Sequence, residues 1–177
     1  MSDLMYTILL LSLVFVFTAI LLIVCRKTPQ YLVFNDHISI KDFMYPAEIP
    51  NCAIESIDMV EKLPKILMRT NGYGGIETWK GLYRIDGKRR AVLYAEKHNK
   101  GPFIKIQATR EVIYINMKDA DMTRQLYDEM KNNVKLLKET DLIECKVVNV
   151  KRSWIIVGVF TAVVLLVSII PVFFNNG

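Results

Sequence analysis

The chain has 177 residues, 52% of them hydrophobic, with 23 Lys and Arg against 18 Asp and Glu and a net charge of +5. That length leaves room for a single ordinary domain, and the modest basic excess is weak support for nucleic-acid binding. Every Lys and Arg lies between Arg26 and Arg152, as does every acid except Asp3, so beyond that one residue the two ends carry no charged side chain.

The first element is Leu4–Cys25, 22 residues without a charge. As a helix it is about 33 Å long, enough for a hydrocarbon core of about 30 Å, so a transmembrane helix is expected over 4–25. Cys25 closes this stretch, but lipid attachment is disfavoured: the preceding Val24 is not small, and Met1–Met5 lacks a basic start. Cys25, Cys52 and Cys145 form no C-x-x-C pair, which argues against a zinc site or disulfide framework and for three reduced, structural thiols.

Between Arg26 and Lys151 a globular domain is expected. Tyr31–Phe34 and His37–Lys41 flank the turn-forming Asn35-Asp36 and read as a hairpin, with Ile38 and Ile40 on one face. Pro46 and Pro50 restrict Met44–Pro50 to a short edge strand, whereas Ala53–Val60 alternates as an internal one. After Lys65–Met68, the run Thr70-Asn71-Gly72-Tyr73-Gly74-Gly75 reads as a loop whose glycines permit positive φ. Trp79–Ile85 and Arg90–Glu96 flank Asp86-Gly87-Lys88, and Phe103–Ala108 and Glu111–Asn116 flank Thr109-Arg110, giving two more hairpins in an antiparallel meander.

The period then changes. Met122, Leu126, Met130, Val134 and Leu137 recur every three or four residues, predicting an amphipathic helix over Ala120–Leu137 capped by Asp119. Asp119 and Asp121 sit at the positive end of its dipole, and Lys131, Lys135 and Lys138 towards the negative end. Glu139–Val150 connects, extended at Glu144–Val150, to a second expected transmembrane helix over Trp154–Phe174 (154–174), with Trp154 at the headgroups. Arg26 and Lys27 close the first span, and Lys146, Lys151 and Arg152 precede the second. Positive charge marks the inner face, so the domain over 26–151 is expected in the cytoplasm, with both termini outside a cell membrane crossed twice.

A curved antiparallel meander capped by one C-terminal helix outlines an α+β, pleckstrin-homology-like barrel, here flanked by two transmembrane helices. Lys62-Leu63-Pro64-Lys65, Arg69-Thr70-Asn71-Gly72-Tyr73-Gly74-Gly75, Trp79-Lys80-Gly81-Leu82-Tyr83, Ala91-Val92-Leu93-Tyr94 and Pro102-Phe103-Ile104-Lys105-Ile106 resemble the bacterial pleckstrin-homology-like domains of small membrane proteins. The resemblance runs over Tyr31–Val134 and departs from the pattern at Glu77-Thr78 and Lys88-Arg89-Arg90. It implies a fold and a binding role, and it supplies no catalytic residues.

Two groups are candidate binding features. Lys88, Arg89, Arg90, Lys97, Lys100 and Lys105 could form a basic rim for anionic lipid or an acidic partner, against the reading of solvated hairpins with interleaved acids. Asn71, Gly72, Tyr73, Gly74 and Gly75 could form an anion-binding loop, but no Lys-Ser/Thr follows, so a conformational role is preferred. His37 and His98 have no ligand partners at metal-binding spacing, and no nucleophile elbow or carboxylate pair is present. Trp79, Tyr83, Tyr94 and Phe103 are assigned to the core rather than to a base-stacking surface. The expected function is therefore a non-enzymatic membrane adaptor without cofactor or metal. Its domain is expected to bind a protein partner or a second copy of itself, with no role for nucleic acid. The alternatives are an anionic-lipid headgroup sensor and an accessory subunit of a larger membrane complex, for which Gly158 and Ser168 would matter most.

Overall fold

The computed structural model describes residues 2–74, 78–86, 90–96, 101–134, 149–150 and Gly158. The chain divides into two units, Thr28–Lys151 and the terminal segments Met1–Lys27 with Arg152–Gly177. In the second of these, α1 runs over Ser2–Cys25 as 24 helical residues, with Leu11, Leu13 and Phe15 exposed. Among the described residues no helix is long and apolar enough to cross a membrane, and the side chains of α1 are described only in part. The expected span Trp154–Phe174 lies outside the described residues except for Gly158.

Thr28–Lys151 is an α+β unit of two sheets and one helix. β1 (Gln30–Val33), β2 (His37–Lys41), β3 (Ala47–Pro50) and β10 (Asn149–Val150) form one sheet in the order β1-β2-β3-β10. The second takes β4 (Ile54–Val60), β5 (Ile66–Gly74), β6 (Thr78–Ile85), β7 (Arg90–Glu96), β8 (Phe103–Ala108) and β9 (Val112–Ile115) in the order β4-β8-β9-β7-β6-β5. α2 (Ala120–Asn133) follows. Two sheets with a C-terminal helix are consistent with a pleckstrin-homology-like fold.

Local chemistry explains most elements. Asn35-Asp36 turns β1 into β2, the Phe34 N–H donates to the His37 carbonyl at 2.9 Å, and Ile38 and Ile40 are buried together. β6 pairs with β7 and β8 with β9, as the turn signals indicate. The Asp119 side chain accepts from the Asp121 N–H at 2.9 Å and starts α2. The helix ends one turn earlier than expected, at Asn133, where Val134 turns extended. Lys135–Leu137 lie outside the described residues.

The main core fills the space between the sheets under α2, with Ile38, Ile40 and Ile49 facing Tyr94, Ile104, Ile106, Ile113 and Ile115, and Leu126 and Met130 above them. A second cluster of Tyr83, Ile85, Leu93 and Tyr114 covers the other face of the larger sheet. β7 is thus buried on both faces from Ala91 to Ala95.

Five expectations are corrected. The meander is not wholly antiparallel: β7 and β9 pair in parallel, because β8 lies one position beyond and β9 returns into the gap. A strand buried on both faces accepts such a neighbour. β3 is not an edge, since it pairs with β2 and β10, its two prolines lying at its ends. β4 is not internal, pairing only with β8 among the described strands. The Thr70–Gly74 run is strand rather than loop. Finally, Cys52, exposed in the 3-10 turn Asn51–Ala53, is disulfide-bonded, so the cysteines are not all reduced. Linear spacing does not reveal which distant cysteines meet. Cys145 and the side chain of Cys25 lie outside the described residues.

Candidate functional site

Of the expected basic rim, Arg90 and Lys105 are described, and they do not meet. Arg90 opens β7, paired with Arg84, whereas Lys105 sits in β8 opposite Asp58 and Tyr114. Tyr114 is in turn opposite Leu93, three residues along from Arg90, so the two bases start from opposite faces. Two strand spacings and three residues of offset separate them by about 14 Å. Lys88, Arg89, Lys97 and Lys100 lie outside the described residues.

The expected loop residues Asn71, Gly72, Tyr73 and Gly74 belong to β5, paired in turn with Leu82, Gly81, Lys80 and Trp79; Gly75 lies outside the described residues. The glycines serve close approach. A Cβ on Gly72 would stand 2.5 Å from the Lys80 carbonyl and 3.0 Å from the Tyr83 ring. Its partner Gly81 takes φ +100°, and a Cβ there would lie 2.7 Å from both the Asn71 carbonyl and the Gly72 Cα.

The structure instead draws attention to a cavity of about 240 Å³ at the end of the two sheets where β6 begins and β7 ends. Thr28, Pro29 and Tyr31 wall one side, Thr78, Lys80 and Tyr94–Glu96 another, and Asn116–Lys118 with Met122 the third. No pattern of neighbouring residues marks this site, because it joins β1, β6, β7, the segment after β9 and the first turn of α2.

Its floor is a buried polar network. The Lys80 ammonium lies 2.7 Å from Asp42 Oδ1, with both side chains 2% exposed. Asp42 Oδ2 accepts from the Met44 and Tyr45 N–H groups at 2.9 and 3.0 Å, and the Tyr94 hydroxyl donates to the Tyr45 carbonyl at 2.6 Å. Burial, then the nearby Asp42 carboxylate, pushes the Tyr94 phenol well above its usual range and raises Tyr31 likewise. Both hydroxyls therefore stay protonated.

Asn116 forms the wall. Its N–H donates to the Tyr94 carbonyl at 3.1 Å, and its Oδ1 accepts from the Glu96 N–H at 2.7 Å. That second bond fixes which end of the amide is oxygen. Asn116 Nδ2 is then a buried donor without a hydrogen-bond partner. Met122, expected on the buried stripe of α2, is instead 48% exposed and borders the cavity, while Thr123 takes its place inside. Thr123 Oγ1 donates to the Asp119 carbonyl and accepts from the Met117 N–H, a polar pair that hydropathy alone passes over.

The arrangement can hold an apolar group between Pro29, Tyr31, Met117 and Met122, with Asn116 in its lining. Among the described residues no three His, Cys, Asp or Glu side chains gather to hold a metal.

Residues 29–124 match a family model described as a bacterial PH domain. No curated protein and no solved structure matches the chain.

Proposed function

Starting from the chain's membership of the bacterial PH domain family, we propose that it is a membrane-anchored, non-enzymatic adaptor whose cavity beside Asn116 receives a segment of a protein partner. The segment places an apolar side chain against Tyr31, Met117 and Met122 and a carbonyl against Asn116 Nδ2. The unmet Asn116 donor carries this reading: a buried N–H without a partner costs about 1–3 kcal/mol, and an acceptor brought in by a ligand relieves that cost. Anchoring rests on the uncharged stretches Leu4–Cys25 and Trp154–Phe174, and the cytoplasmic side on the five bases beside them. A lipid-headgroup sensor is less well supported, because Arg90 and Lys105 start from opposite faces of their sheet.

The test is a photo-crosslinking residue at Met122 in the full chain, in native membranes, compared with one at exposed Glu55 on β4. A discrete protein adduct at Met122 and none at Glu55 supports the proposal. Adducts to lipid alone at Met122, or equal protein adducts at both positions, contradict it.

A further inference from the structure

β1 is the outer strand of the smaller sheet and pairs on one side only, with β2. The hairpin bond fixes which of its backbone groups are turned inward. Because the Phe34 N–H donates to the His37 carbonyl, Phe34 and His37 form a hydrogen-bonded pair, and antiparallel pairs alternate between bonded and non-bonded. Val33 with Ile38 and Tyr31 with Ile40 are therefore non-bonded pairs, while Leu32 with Ser39 and Gln30 with Lys41 exchange the ladder bonds. The N–H and C=O groups of Tyr31 and Val33 thus face away from β2, and among the described residues they meet no hydrogen-bond partner. Pro29, next in that outward series, has no N–H, so the donors end at Tyr31.

This edge begins at the cavity. Pro29 and Tyr31 line it, and the side chains of Tyr31 and Val33 both pack against the main core, on the inner face of the sheet. Residues in register on neighbouring strands carry their side chains on the same face. A strand added here therefore directs the side chain in register with Tyr31 inwards, to the cavity that Met117 and Met122 also line, and the one in register with Val33 to the same side two residues on. Two donors and two acceptors repeating at about 6.8 Å match the backbone of an extended peptide. An acyl chain has no groups to meet them.

Resting on the reading of the cavity as a protein-binding site, we propose that the partner's segment is an extended strand added to the free edge of β1. It exchanges main-chain hydrogen bonds with Tyr31 and Val33 and carries apolar residues two apart, the one beside Tyr31 entering the cavity. The backbone bonds supply affinity, and the two inward side chains supply specificity.

The experiment places the photo-crosslinking residue at Met122 of the full chain in native membranes, with or without the α-hydroxy analogue of valine at position 33. That analogue keeps the Val33 side chain and replaces its N–H by an oxygen. The protein adduct at Met122 should fall roughly three- to tenfold, the effect of one lost hydrogen bond, at an unchanged melting temperature, because the Val33 N–H serves no bond within the described fold. The leucine analogue at position 32 removes a ladder donor to Ser39 and should lower the melting temperature; no change there contradicts the register. The segment joined to Met122 is then identified by mass and made as a capped peptide. At saturation this peptide should slow exchange of the Tyr31 and Val33 amide hydrogens by about tenfold or more and leave that of Leu32, already bonded, unchanged. An undiminished adduct with the Val33 analogue, or no protection of Tyr31 and Val33, overturns strand addition and leaves the cavity reading standing. Adducts to lipid alone, or none to protein, overturn both. An adduct to a second copy of this chain overturns the assignment to a different protein.

Discussion

Lys80 of β6 and Asp42 of the β2–β3 connection meet at 2.7 Å with both side chains almost wholly buried, joining the two sheets by an ion pair. Removing one partner of such a pair leaves a charge in a medium that solvates it poorly and costs about 3–5 kcal/mol. Lys80→Met is therefore expected to lower the unfolding free energy by about that amount. Asp42→Asn should cost at least as much, since it leaves the Lys80 ammonium buried and turns the amide NH2 either towards it or towards the Met44 and Tyr45 N–H groups. Denaturant unfolding of the detergent-solubilised chain measures both, and equal, small losses would show that the pair does not join the sheets.

Gly72 and Gly81 face each other across β5 and β6 at a separation that excludes a side chain on either. Gly81→Ala must hold a non-glycine residue at φ +100° and displace the Asn71 carbonyl, a cost of at least about 1–3 kcal/mol. Gly72→Ala should also destabilise, through contact with the Lys80 carbonyl and the Tyr83 ring. Thermal unfolding reads each, and an unchanged melting temperature for both would mean that this approach is looser than described.

Along α2, Leu126 and Met130 are buried against the sheets, whereas Gln125 is exposed. Leu126→Asp should unfold the domain by burying a charge, while Gln125→Asp should be nearly silent. Lys131→Asp should show a small loss, under about 1 kcal/mol, because the Lys131 ammonium lies 5.9 Å from the Tyr127 ring centre. Protease sensitivity of the three variants would reverse this order if the helix presented another face to the core.

Glu111 gives the unit a pH signature. Burial raises its carboxyl above the ordinary glutamate value, with Arg90 opposing the effect, and Glu111 Oε2 is buried without a partner. The folded state thus binds the proton more tightly than the unfolded chain. Its contribution favours folding at low pH and is lost as pH rises from the ordinary value to the raised one. Glu111→Gln should flatten the stability profile across that window and stabilise the domain at neutral pH. A variant that follows the wild-type profile would exclude Glu111 as the source.

The parts of the fold written in short-range chemistry were readable: Asn35-Asp36 between β1 and β2, the pairings of β6 with β7 and β8 with β9, and the Asp119 cap. What escaped is set by contacts between distant segments. The glycines of β5 look like a loop until Gly81 is seen opposite Gly72, and the parallel β7–β9 pairing depends on where β8 lies. No local signal marks Lys80 as one half of an ion pair, because its partner is 38 residues away. The cavity was likewise invisible, since Tyr31, Lys80, Asn116 and Met122 share no local motif.

Co-purification from native membranes with a tagged full chain tests partner binding most directly, comparing wild type, Met122→Asp and the charge-matched Gln125→Asp. Met122 borders the cavity and is half exposed, so an aspartate there should leave the melting temperature nearly unchanged while blocking an apolar occupant. The account predicts a specific protein recovered with wild type and Gln125→Asp and lost with Met122→Asp. Equal recovery of that protein from all three would contradict it.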